Sequence, residues 1–428
     1  MIYGVEMFSW MKDLFPLNRS LSGEGNRETL RYLQDLVPNM SIGEFKSGYP
    51  AFDWVIPHEW NVDNAFIERN DGSRLAEFSN CNLHLVGYSI PIDKIVSKEE
   101  LLKHIHYIDE IPNAIPYVTS YYKNDWGFCI TKQEFEKLGE GPFRVYINSS
   151  LKGSDEGGVL NYGEVVLKGK SSQEILFSTY ICHPSMANNE LSGPVLSVAL
   201  IKEIANINHH YTYRFLFLPE TIGAIAYLSE NYRRMKKKII AGWVLTCIGD
   251  KGNFSYVPSR QGNNYADRIT KEVLRVKFPE YITYSWLDRG SDERQFCSPG
   301  IDLPVCAITR SKYDTYSEYH TNLDNLEIIS EESLEESLKI LSDIVKEIES
   351  KRVPKSKILC EPQMGKRDLY PNLSSRQSYS DLNRKMMDVL SYLDGCHTLE
   401  DVSNKCGIEL MQINEIIEIL LAHDIIEI

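Results

Sequence analysis

The chain has no apolar run approaching the ~20 residues a membrane-spanning helix needs. Near Met1 it lacks a basic stretch followed by a long apolar segment, so no secretory signal is visible and a cytoplasmic location is expected. Its nine cysteines are odd in number, irregularly spaced and without a Cys-x-x-Cys pair. That usage fits a reduced compartment and speaks against a structural zinc cluster. A basic excess is missing too: the net charge of −14 argues against nucleic acid or anionic membrane as the main partner. Internal repeats and low-complexity segments are absent. What remains is a globular composition, 43% hydrophobic and 25% charged, over 428 residues. That length exceeds one ordinary core, so two or three domains are expected.

The texture changes along the chain. The first ~45 residues read as helices over Glu6–Phe15 and Asn26–Leu36, separated by a polar turn, Arg19 to Gly25. Residues 51–123 carry short alternating runs such as Leu83–Ile90, broken by Asn, Gly and Pro, which predicts a small β-rich insert. From 124 to 350 strands and helices alternate. Strands are expected at Phe143–Ile147, Gly163–Leu167, Ile175–Ile181, Tyr213–Leu218 and Lys238–Ile248, and helices at Pro194–Ala205, Gly223–Lys236 and Glu331–Glu349. Together with residues 1–50 this predicts a three-layer α/β/α domain on a mixed, mostly parallel sheet. Residues 351–428 begin as a Pro/Lys/Ser-rich linker, Lys351–Arg376. Three helical segments follow: Asp381–Leu393, Leu399–Cys406 and Glu409–His423. The break at Gly407 and the final Asp424–Ile428 predict a winged helix-turn-helix.

Two histidines carry the chemistry. His183 lies in Ser178-Thr-Tyr-Ile-Cys-His-Pro-Ser-Met-Ala-Asn-Asn-Glu-Leu-Ser-Gly193, and His320 in Glu318-Tyr-His-Thr-Asn-Leu-Asp324. Between them, Leu218-Pro-Glu-Thr-Ile-Gly223 puts Glu220 where an apolar run ends. His183, Glu220 and Asp250 each follow a predicted strand, at the rim where open α/β sheets bind ligands. Two imidazoles with a glutamate between them are the parts of a water-activating metal centre.

These runs, with Gly290-Ser-Asp-Glu-Arg-Gln-Phe296 and Gly300-Ile-Asp-Leu-Pro304, resemble in order the site loops of bacterial zinc aminopeptidases, whose fold glutaminyl cyclases share. The whole layout, with a β-rich insert and a C-terminal winged helix, is similar to an aminopeptidase-like group linked to polysaccharide-biosynthesis loci. The resemblance implies two zinc ions that share a bridging aspartate, each also taking one histidine and one further carboxylate. Carried onto this chain, the histidines fall on His183 and His320 and the general base on Glu220. The three metal carboxylates fall on Asn189, Thr221 and Thr246, none of which is anionic.

Two close divalent cations need anionic ligands, so one metal, a single zinc, is expected. Three protein ligands suffice for a catalytic zinc. They are expected to be His183, His320 and Glu190, which follows the lost bridging position; Asp250 and Asp292 are alternatives. The resemblance implies a metal-dependent amide or peptide hydrolase, with Glu220 moving the proton and Tyr319 as oxyanion donor. The substrate class is an amine-bearing amide, from a peptide end to an amino sugar. A dead peptidase frame that binds a peptide or saccharide without turnover is the alternative, motivated by the missing carboxylates. DNA regulation is disfavoured, because from Glu361 onward there are six Lys or Arg against twelve Asp or Glu. A protein-contact role, such as packing or homo-oligomer formation, is expected for the C-terminal helices.

Overall fold

The computed structural model describes residues 3–369 and 381–428, so the end of the expected Lys351–Arg376 linker lies outside the described residues. An eight-stranded mixed sheet organises the main domain. Its centre is four parallel strands in the order Thr212–Leu218, Glu174–Tyr180, Ile239–Leu245, Val305–Thr309. Every residue of these strands is buried, because helices cover both faces. That is why they read as continuous apolar runs without alternation.

The two faces separate residue by residue. Ile175 and Phe177 point into one core with Phe215, Trp243 and helices Gly4–Leu14, Glu24–Leu36, Ser192–Ala205, Tyr265–Lys277 and Glu331–Ser350. Leu176, between them, points into the other core with Leu216, Val244 and helix Ile222–Lys238. The result is the expected three-layer α/β/α sandwich. Ser41–Lys46 and Val159–Leu167 extend one edge in antiparallel fashion.

A four-stranded antiparallel sheet sits beside this domain: Arg74–Leu75, Glu59–Glu68, Phe143–Lys152 and Ile92–Val96. Phe143–Lys152, which the sequence boundary at 123 assigns to the α/β domain, pairs instead along Glu59–Glu68. Its Phe143, Val145 and Ile147 fill the core of the small sheet, and local sequence carries no sign of which sheet a strand joins. Leu83–Ile90 is not a strand. It holds a single 3-10 turn, Asn82–His84, and Tyr88 sits at φ +66°, which breaks an extended run.

The C-terminal unit has helices Asp381–Leu390, Leu399–Cys406 and Leu410–Ala422 around its own apolar core. Gly407 ends the second helix at φ +65°, a left-handed cap that glycine adopts without strain. Ile426–Glu427 pairs with Lys355–Ser356 to form the wing. Arg268 docks the unit on the main domain by donating to the Cys396 carbonyl and Asp401. Among the described residues no helix is long and apolar enough to cross a membrane.

Candidate active site

The site residues leave the carboxyl ends of the central strands. Glu174–Tyr180 leads to His183, Thr212–Leu218 to Glu220 and Ile239–Leu245 to Thr246. A π-helical turn, Ala187–Leu191, closes one side. Asp324 holds that turn by accepting from the backbone N–H groups of Ala187, Asn188 and Asn189 at 3.1, 2.6 and 2.9 Å. The loop that carries His320 is thereby tied to the loop that carries Glu190.

The His183 and His320 rings lie 5.2 Å apart. Burial drives both imidazoles down to about 3, helped at His183 by Arg19 and at His320 by His183, so both are neutral at pH 7. His320 Nε2 is buried and has no hydrogen-bond partner among the described residues. His183 Nε2 faces Glu220 at 3.8 Å. Neutral imidazoles, one with an orphaned nitrogen, fit a divalent cation.

Glu190 reaches His183, but from behind. Its Oε2 is 2.9 Å from Nδ1, and its Oε1 is 3.5 Å from the guanidinium of the fully buried Arg19. Glu190, the expected third ligand, thus presents Oε2 to the Nδ1 side of the ring, while its buried Oε1 has no hydrogen-bond partner among the described residues. Ligand atoms of Cys182, His183 and Glu190 do lie within 4.8 Å of one another. A cation there would face Arg19, whose charge repels it. In the tautomer whose Nδ1–H donates to Glu190, His183 keeps its free lone pair on Nε2, as ligand histidines do. Burial raises the Glu190 carboxyl to about 8.

Glu220 remains 20% exposed. Its carboxyl is pushed well above the usual range by burial and then by Asp292. Tyr319 stacks on His320 at 3.9 Å, 14° from parallel. Asp250 is a loop cap that accepts from Gly252 and Ser311, and Asp292 accepts from the Thr221 N–H at 2.8 Å. Among the described residues, neither carboxylate is hydrogen-bonded to or ion-paired with either histidine.

The profile described as "domain of unknown function (DUF4910)" matches residues 8–351. The chain belongs to the DUF4910 family. A winged helix-turn-helix profile matches residues 352–428. The chain is 39% identical over 415 residues, 96% of its length and 93% of the relative, to a Clostridium acetobutylicum protein named as a candidate polysaccharide biosynthesis protein with an aminopeptidase-like domain. It is also similar to a crystal structure described as a candidate peptidase from that organism: 37% identity, TM-score 0.79, covering 99% and 96% of the two chains. A zinc aminopeptidase from Bacillus subtilis shares the fold at 12% identity and TM-score 0.60, covering 81% and 95%.

In this DUF4910 chain the three positions without carboxylates are bound up in hydrogen bonds. Tyr180 donates to Asn189 Oδ1 at 2.7 Å and pairs with the Thr246 hydroxyl, which donates to the Asn189 carbonyl at 2.9 Å. Thr221 accepts from the Arg294 guanidinium at 2.6 Å. Asn189 and Thr246 thus lie in a neutral network, and Thr221 carries the fixed cation of Arg294. Sequence reasoning missed Arg19, Tyr117, Tyr180 and Arg294. Arg19 lay in plain view within the polar turn, but nothing local marks it as buried.

Proposed function

We propose that the chain hydrolyses amide bonds at a centre holding one zinc-class divalent cation between His183 and His320. The observation that carries this reading is the pair of buried, neutral imidazoles 5.2 Å apart with an orphaned Nε2 on His320. When bound, the cation supplies Lewis-acid polarisation of a carbonyl and makes water more acidic.

The chain's own residues do the rest. Glu190 and Arg19 hold the His183 ring. Glu220, a carboxyl whose affinity for protons is raised, takes a proton from water and delivers it to the leaving amine. The Tyr319 phenol donates to the developing oxyanion. The aminopeptidase-type fold and the naming of the Clostridium relative favour an amine-bearing amide, either a peptide end or an amino sugar.

Protein purified without chelator is expected to carry close to one zinc equivalent, and His183→Ala and His320→Ala each to lose it. Aminoacyl and N-acetylamino-sugar amides then form the activity panel. No bound metal and no micromolar zinc affinity would sink the proposal. The Tyr180–Asn189–Thr246 network supports a second reading, a frame that binds such ligands without turnover. Zinc binding with every amide left intact would favour it.

A further inference from the structure

Tyr117 belongs to the segment that precedes the small sheet's last strand, yet its ring packs against both histidines, which are themselves 5.2 Å apart. Its centroid is 5.1 Å from His183 and 5.3 Å from His320, meeting His320 edge to face at 84°. Tyr319 stacks on the same imidazole.

The backbone around it is clamped to the His320 loop. Tyr117 N–H donates to the His320 carbonyl at 2.8 Å, and Asn322 N–H to the Ile115 carbonyl at 3.1 Å. Ile115 N–H donates to Asn322 Oδ1 at 2.7 Å, and Pro116 bridges Thr321. Across the strap, Gly87 N–H donates to the Val118 carbonyl and Ser120 N–H to the Gly87 carbonyl, both at 2.9 Å. His320 itself sits at φ +55°, a left-handed conformation uncommon outside glycine, though less so for histidine than for most residues. The residues bonded to its loop, Ile115 and Tyr117, lie about 200 positions away in sequence.

We propose that Tyr117 is a positioning residue for the histidine pair, and that the strap 115–117 sets the conformation of His320. The insert is then part of the site: His320 is in place only while the strap is docked. The zinc arm of the test rests on the histidines being a ligand pair; the metal-free arm does not.

The test compares Tyr117→Ala with Tyr117→Phe, and adds Asn322→Ala, which loosens the clamp without touching the ring. Zinc affinity is read by chelator competition. In metal-free protein, the His183 and His320 imidazole resonances are read by NMR. Tyr117→Ala is expected to weaken zinc binding about 10- to 100-fold, as loss of a residue supporting a ligand does, and to shift both imidazole signals. Tyr117→Phe is expected to restore the parent signals and affinity to within about threefold. Asn322→Ala should shift the His320 signals and leave those of His183. Unmoved imidazole signals in Tyr117→Ala and Asn322→Ala would overturn the proposal, as would a Phe variant as defective as the Ala variant. If the parent binds no zinc, the hydrolase reading fails, and the His320 signals of Asn322→Ala, which keeps the Tyr117 ring in place, still decide whether the strap positions His320.

Discussion

At the scale of single residues, one carboxyl changes what the histidine next to it can do. Glu190 is buried, raised to about 8, and hydrogen-bonded to an imidazole lowered to about 3. The signs oppose each other. Glu190's folded value lies above the unfolded carboxyl value, so its contribution to stability is whole below about 4.5 and is lost as pH rises through 8. The histidines lie below their unfolded value, so theirs is whole above about 6.5 and lost as pH falls toward 3. Only from about 7.5 upward, a unit past the unfolded imidazole value, are the imidazoles neutral in both states, and there the buried carboxyls dominate the slope. The metal-free protein is therefore expected to melt at lower temperature as pH rises through that range, and Glu190→Gln to flatten the fall. An unchanged slope in the variant would show that Glu190 ionises elsewhere. Glu220→Gln makes a separate point: it removes the proton carrier and leaves both imidazoles. Zinc content should hold while amide hydrolysis drops ~10²–10⁴-fold, and equal loss of zinc and activity would make Glu220 a ligand.

Elements differ in how far their sequence betrays them. Three of the four central strands were legible because two covered faces demand unbroken apolar runs, whereas the short Val305–Thr309 was not among the strands expected. His183 and Glu220 were legible because they sit just past such runs. Helix Leu399–Cys406 ends at its glycine as the sequence predicts. Partners were not legible. Arg19 meets the His183 carbonyl across 164 positions, and Tyr117 meets His320 across a greater span, so no local pattern encodes either contact. Leu83–Ile90 misled for the converse reason: nearly all of it is buried, and alternation there reflects irregular packing in place of a pleat. The turn Ala187–Leu191 depends on such a distant partner. Asp324 accepts three of its N–H groups and the Tyr316 hydroxyl at 2.8 Å. Asp324→Ala leaves those amides unsatisfied and should cost ~2–4 kcal/mol in urea unfolding. Asp324→Asn, which still accepts, should cost less. A cost below about 0.5 kcal/mol for the Ala variant would mean that the turn holds itself.

At the scale of the whole molecule, a winged helix on an acidic body raises the question of DNA. The fold alone does not answer it, because function lies in the groups a fold presents. Helix Leu410–Ala422 occupies the recognition position and exposes Met411, Asn414, Glu415 and Glu418, with no Lys or Arg along its length. The net charge of −14 adds long-range repulsion to that local deficit. Phosphate contacts supply nearly all non-specific affinity and a large share of specific affinity, so a surface without cations has no anchor on a duplex. The unit's visible contacts instead point inward, through Arg268 to Asp401 and the Cys396 carbonyl. The full chain at micromolar concentration is expected to leave a 30-base-pair duplex unretarded at about 50 mM salt, where electrostatic binding is strong. Retardation that fades as salt is raised would overturn this. Arg268→Ala separates the remaining possibilities: lower melting of the C-terminal unit with no gain of DNA binding would mark the winged helix as a packing module of the main domain.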